Sequence, residues 1–102
     1  MPQYEAQWRE GVARLAGGHM SSALITSYNG PGAAFHSMWP MWREGITVFI
    51  QERLVLDDTI GHSNVAEQFY ARVGPRRTTS DDGSPISEWA LPLSQMLAFV
   101  LD

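Results

Sequence analysis

The apolar residues Tyr4, Trp8, Val12 and Leu15 recur at spacings of four, four and three, which puts them on one face of a helix predicted over residues 3–16. Glu5–Arg9 and Glu10–Arg14 lie four apart with the acid first, the favourable order for exposed helical ion pairs. Gly17-Gly18 supplies the stop. Beyond it the period falls to two. Residues 21–28 are rich in small and β-branched residues and run into the turn chemistry of Asn29-Gly30-Pro31-Gly32. Residues 35–43 predict a second strand, Glu44-Gly45 a two-residue hairpin loop, and 46–56 a third strand. In that third strand Ile46, Val48, Ile50 and Leu54 share the inward face, and Thr47, Phe49, Gln51 and Arg53 the other. Pro40 has no N–H for a ladder, so the second strand is expected to lie locally at an edge or to carry a bulge.

Residues 56–62 read as a loop. Asn64 with Glu67 three residues on resembles a capping box opening a helix over 65–73, with Val65, Phe69 and Val73 buried and Gly74-Pro75 ending it. Segments 76–80 and 84–90 flank Asp81-Asp82-Gly83, a hairpin signal. Pro92 is placed to open a last helix that carries Leu93, Met96, Leu97, Val100 and Leu101 at helical spacing. The order α-β-β-β-α-β-β-α predicts an α+β fold, an antiparallel sheet of about five strands with helices packed on one face.

Composition narrows the class. The 102 residues suffice for one domain, spanning 1–102, and 44% hydrophobic with 18% charged residues is ordinary globular chemistry. The absence of cysteine excludes disulfides and thiolate metal sites. With no charged-then-apolar leader and no apolar run near the roughly 20 residues that span a bilayer, the expected location is the cytoplasm, with no membrane partner. The net charge of −4, with arginine as the sole basic residue type, argues against direct nucleic-acid binding and suits a basic protein partner.

Catalytic chemistry finds little support. His19, His36 and His62 lie in separate segments, and a Ser63–His62–Asp58 group lacks a nucleophile elbow. Asp57-Asp58 and Asp81-Asp82 are adjacent acids in turns, where general acid–base work needs carboxyls converging across a cleft. Gly30-Pro31-Gly32 loses an amide to proline and is followed by no helix, so it makes a poor phosphate cradle. Neither a cofactor nor a metal is expected. The alternative to a non-catalytic binder is a small pocket-containing ligand-binding or hydrolytic α+β domain, using His62 or His36. Strand alternation sends Trp39 and Trp42 to opposite faces. Core packing and exposure as a partner anchor both stay open for this pair, and Trp89 is expected in the core.

The chain resembles the immunity proteins of bacterial contact-dependent growth inhibition. The resemblance is carried by Tyr4, Gln7-Trp8 and Arg14-Leu15, by Ser22-Ala23-Leu24 with Thr26-Ser27, and by Trp39, Arg43-Glu44-Gly45, Val48 and Ile50-Gln51. Its most specific part is Pro75-Arg76-Arg77 leading to Asp82-Gly83, then Ile86-Ser87-Glu88-Trp89, with Leu93 and Phe99 after it. It implies a cytoplasmic protein that binds and blocks the toxic C-terminal domain of a cognate effector, commonly a nuclease. The chain itself is expected to be a monomer or weak homodimer. Charge and loop position, apart from the resemblance, select Asp57, Asp58, Asp81, Asp82 and Glu88 as partner contacts, together with Trp42.

Overall fold

The computed structural model describes residues 2–30, 33–56, 59–61 and 63–101. Its elements are α1 (Pro2–Ala16), β1 (Ser21–Ser27), β2 (His36–Glu44), β3 (Thr47–Gln51), β4 (Arg53–Val55), α2 (Val65–Tyr70), β5 (Glu88–Pro92) and α3 (Leu93–Leu101). The strands form one antiparallel sheet in the order β1-β2-β3-β5, with β4 on the other half of β2. The expected α+β class and the five-stranded antiparallel sheet are both present.

The element order differs from the expected one in two places. The third strand is split at Glu52, yet β3 and β4 pair with β2 in one continuous register, Met41 with Ile50 and Met38 with Arg53. Pro40 accounts for the gap. Ala23 and Ile25 turn their backbone groups outward to α1, so their partners Met38 and Pro40 turn theirs toward the third strand. The missing proline N–H therefore falls in that ladder, and β2 takes an interior position with Pro40 buried. Residues 76–80 are the second difference. They form no strand; Thr79 and Pro85 make a single bridge beneath the Asp81–Asp82 turn, and β5 pairs with β3 instead.

The helices do not share one face. Ala23, Ile25, Met38, Trp42 and Val55 pack with Phe69 and Tyr70 of α2, and with Ile60 and Val73. Leu24, Met41, Val48 and Ile50, on the opposite side of the same strands, pack with Val12 and Leu15 of α1 and Met96 of α3. Both faces are apolar because both are covered. The α2 helix is also shorter than expected. Asn64 lies in the left-handed region and its side chain makes no cap bond, so the Asn64–Glu67 spacing forms no capping box. The first hairpin turns at Gly45-Ile46, one residue later than expected, since Glu44 pairs with Thr47. Gly45 takes a positive φ of 63° there, and Ile46 is left exposed at the tip instead of pointing inward.

The α1 helix runs along the outer edge of β1. The Gln7 amide substitutes for a neighbouring strand: Nε2 donates to Ala23 O at 2.9 Å and Oε1 accepts from Ile25 N at 2.7 Å. Nε2 also reaches the Tyr70 hydroxyl at 3.1 Å, and Trp8 Nε1 donates to Ile25 O at 2.9 Å. An edge that would otherwise recruit another chain is thus sealed by side chains. Replacing Gln7 with leucine keeps the apolar stem but leaves Ala23 O and Ile25 N unpaired. It is expected to lower stability by about 1–3 kcal/mol, read as an earlier midpoint in urea unfolding.

Candidate partner-binding surface

The acids selected from the sequence are mostly committed within the chain. Asp57 and Asp58 lie outside the described residues. Asp81 pairs with Arg77 at 2.7 Å. Asp82 folds the turn: its Oδ1 accepts from the Ser80 hydroxyl and, at 3.0 Å, from Ser84 N. Those two bonds, the Ser80 one foremost, hold its carboxyl below the usual aspartate value. Glu88 is the most heavily engaged. It takes both arms of Arg76, at 2.6 and 2.8 Å, and a bond from Gln51 Nε2 at 2.9 Å. The same guanidinium stacks 3.8 Å over the Phe49 ring and reaches Glu44 at 3.2 Å.

The Arg76 hydrogen bonds hold the Glu88 carboxyl below its ordinary value against an opposing effect of partial burial. A carboxylate favoured by folding adds stability that is complete above the unfolded glutamate value of about 4.3 and disappears as the pH falls through the lower folded value. Glu88→Gln should therefore flatten the acid limb of the stability profile below about pH 4.3. Urea unfolding across that range checks this; an unchanged limb in the variant would exclude Glu88 as a contributor.

Trp42 is 6% exposed, and its Nε1 donates to Gly74 O at 2.9 Å. It holds the 73–77 segment against the sheet and is not presented to solvent. The exposed member of the pair is Trp39, whose side chain points to the opposite face. Trp89, expected in the core, is 52% exposed. Sequence reasoning missed it as a surface residue because its neighbours alternate correctly: Glu88 points to the Gln51 side and Trp89 to the Ile50 side. On that side Ile50 and Leu91 pack with Met96 of α3, while both tryptophans stay partly exposed.

The result is an apolar area built by three strands. The Trp39 and Trp89 rings stand 6.5 Å apart, tilted by 33°, and Leu54 lies exposed beyond them. Trp39 forms a ridge between two hollows. One, of about 190 Å³, is lined by Leu24, Ile50, Leu91, Gln95 and Met96; the other, of about 360 Å³, by Thr26, Ser37, Glu52, Arg53 and Leu54. Glu52 is exposed here and has no partner among the described residues. Beside this area β5 is a sheet edge: among the described residues no strand pairs with its outer side. Isolated exposed apolar residues are commonplace, but contiguous tryptophans beside an open edge are the kind of feature that marks protein-binding surfaces, which makes this area the candidate.

Among the described residues the histidines make no comparable site. His36 is fully buried, stacked 5.1 Å from Tyr28, and its Nδ1 accepts from Asn29 N at 3.1 Å. His62 lies outside the described residues. No group of three histidines and acids among the described residues is placed to hold a metal ion.

The family model for the CdiI N-terminal domain matches residues 1–99. The chain belongs to that family. The resemblance to immunity proteins of contact-dependent growth inhibition is thereby established, and it extends to three dimensions. A chain of the solved "CdiA-CT/CdiI toxin and immunity complex from Enterobacter cloacae" superposes with a TM-score of 0.83 at 25% identity, covering 97% of this CdiI-family chain and 68% of that one. No curated protein matches the chain. Among the described residues no helix is long and apolar enough to cross a membrane.

Proposed function

We propose that this chain is the immunity partner of a contact-dependent growth inhibition toxin. It binds the cognate toxic domain in the cytoplasm and blocks it by occupation, without catalysis. The toxin seats on the Trp39–Trp89 face, and the chain acts as a monomer or weak homodimer that takes up one toxin domain. The observation that carries this reading is the pair of half-exposed tryptophans, with Leu54 exposed beyond them, on one face of the sheet. Tryptophan is the residue most enriched at the energetic centres of interfaces, and Glu52 supplies an uncommitted charge beside them.

Family membership and the likeness to a chain of a toxin and immunity complex support the same reading. The net charge of −4 suits a basic toxin such as a nuclease, because an acidic inhibitor is drawn toward a cleft built for phosphates. The Asp81–Asp82 turn contributes to that long-range attraction while its acids hold the local fold.

Co-expression with the toxin domain encoded immediately upstream tests the proposal. Growth should be restored, and a one-to-one complex should co-purify, its mass read by light scattering. A harmless upstream product, or two proteins that elute separately, overturns it.

A further inference from the structure

On the face opposite the tryptophans, an open cavity of about 390 Å³ lies between β4, the end of α2 and the Asp81–Asp82 turn, lined by Arg53, Arg77, Asp81 and Ile86 among others. We infer that this cavity is a carboxylate-binding site in which Arg53, supported by Arg77, receives one acidic side chain of a protein partner. The cavity lies across the sheet from the Trp39–Trp89 face, so this acidic partner is not the toxin domain seated there.

Arg53 is held in place before any partner arrives. Its Nη1 donates to Val73 O at 2.7 Å and Arg72 O at 3.2 Å, and its guanidinium lies 5.8 Å from the Trp42 ring centre. Those bonds use a single nitrogen. Nε and Nη2 make no hydrogen bond among the described residues, and together they form the two-pronged edge that matches a planar carboxylate. Charge points the same way. No carboxylate among the described residues pairs with Arg53; the one acid lining the cavity, Asp81, is bound to Arg77. Burial, and then the positive charge of Arg77, push the Arg53 guanidinium below its usual value, as expected where a cation lacks its counter-ion. Among the described residues Arg53 is a guanidinium with no carboxylate partner and a vacant fork, a geometry that takes one carboxylate.

The test uses the isolated chain, with arginine Nε–Hε resonances followed by NMR as sodium acetate replaces chloride at constant ionic strength. The Arg53 resonance should shift saturably and Arg77 less, while Arg9, paired with Glu5 on the far helix, stays still. Arg53→Lys keeps the charge but not the fork and should abolish the smaller saturable shift of Arg77; Arg77→Gln, which leaves the Val73 and Arg72 carbonyls bonded, should weaken the saturation seen at Arg53. Parallel shifts of all arginines overturn the site, as does tighter saturation by inorganic phosphate than by acetate. If acetate binds while the upstream toxin is neither bound nor neutralised, the carboxylate site stands and the toxin reading fails.

Discussion

Replacing either Trp39 or Trp89 with alanine is expected to weaken toxin binding by about 2 kcal/mol or more, roughly thirtyfold, because ring area at the centre of an interface dominates its energy. Both rings are partly exposed in the unbound chain, so the fold should lose far less than it would from Trp42→Ala. That buried ring fills the core and bonds Gly74 O, and its removal should cost about 3–5 kcal/mol of stability. The contrast separates contact from packing. Calorimetric titration with the toxin domain, alongside urea unfolding, measures both quantities. If both exposed variants bind at wild-type strength while remaining folded, the toxin docks elsewhere. Their effects should also couple, since the rings are 6.5 Å apart and residues in contact are not independent.

The second large effect is on stability. Gly11→Ala should destabilise the chain by about 1–3 kcal/mol, the usual range for overpacking, although alanine in a helix interior is ordinarily worth about 1 kcal/mol over glycine. The reversal comes from contact. A Cβ built on Gly11 meets Ala23 O at 2.6 Å, and backbone cannot swing aside as a side chain does. The same approach lets the Ser22 hydroxyl donate to Gly11 O at 2.7 Å and brings Gln7 within reach of the β1 edge. Pushing α1 outward would strain all three contacts. A stabilised variant in urea unfolding would mean that α1 can retreat from the sheet without penalty.

Much of the architecture was legible because backbone periodicity is local. The spacing of Trp8, Val12 and Leu15 specified α1, and alternation specified β1 and β2. What periodicity cannot report is what covers a face. Val48 and Ile50 of the expected inward set are buried, but Ile46 falls in the turn and Leu54 beyond the reach of α3. The supposed outer set is covered as well: Gln51 is bound by Arg77 O and Glu88, and Phe49 lies under Arg76. Pro40 signalled a disrupted ladder, and the disruption is there, but which neighbour loses the bond depended on where β1 sits.

The candidate surface was less legible for the same reason. The sequence singled out acids by turn position without asking what engages them: the described ones are bound by Arg77 and Ser80 a few residues away and by Arg76 across the turn. It named Trp42 as the partner contact, whereas Trp42 is buried and Trp39 is the exposed member of the pair. The sequence by itself determined the helical and strand periods, the acidic balance, the lack of thiol chemistry and the motif that marks the family, all properties of neighbouring residues or of simple totals. Only the tertiary structure decided which tryptophans meet solvent, that Gln51 and Arg76 converge on Glu88, and which sheet edge stays open. Each depends on segments far apart in the chain arriving at the same place, and no local pattern encodes that.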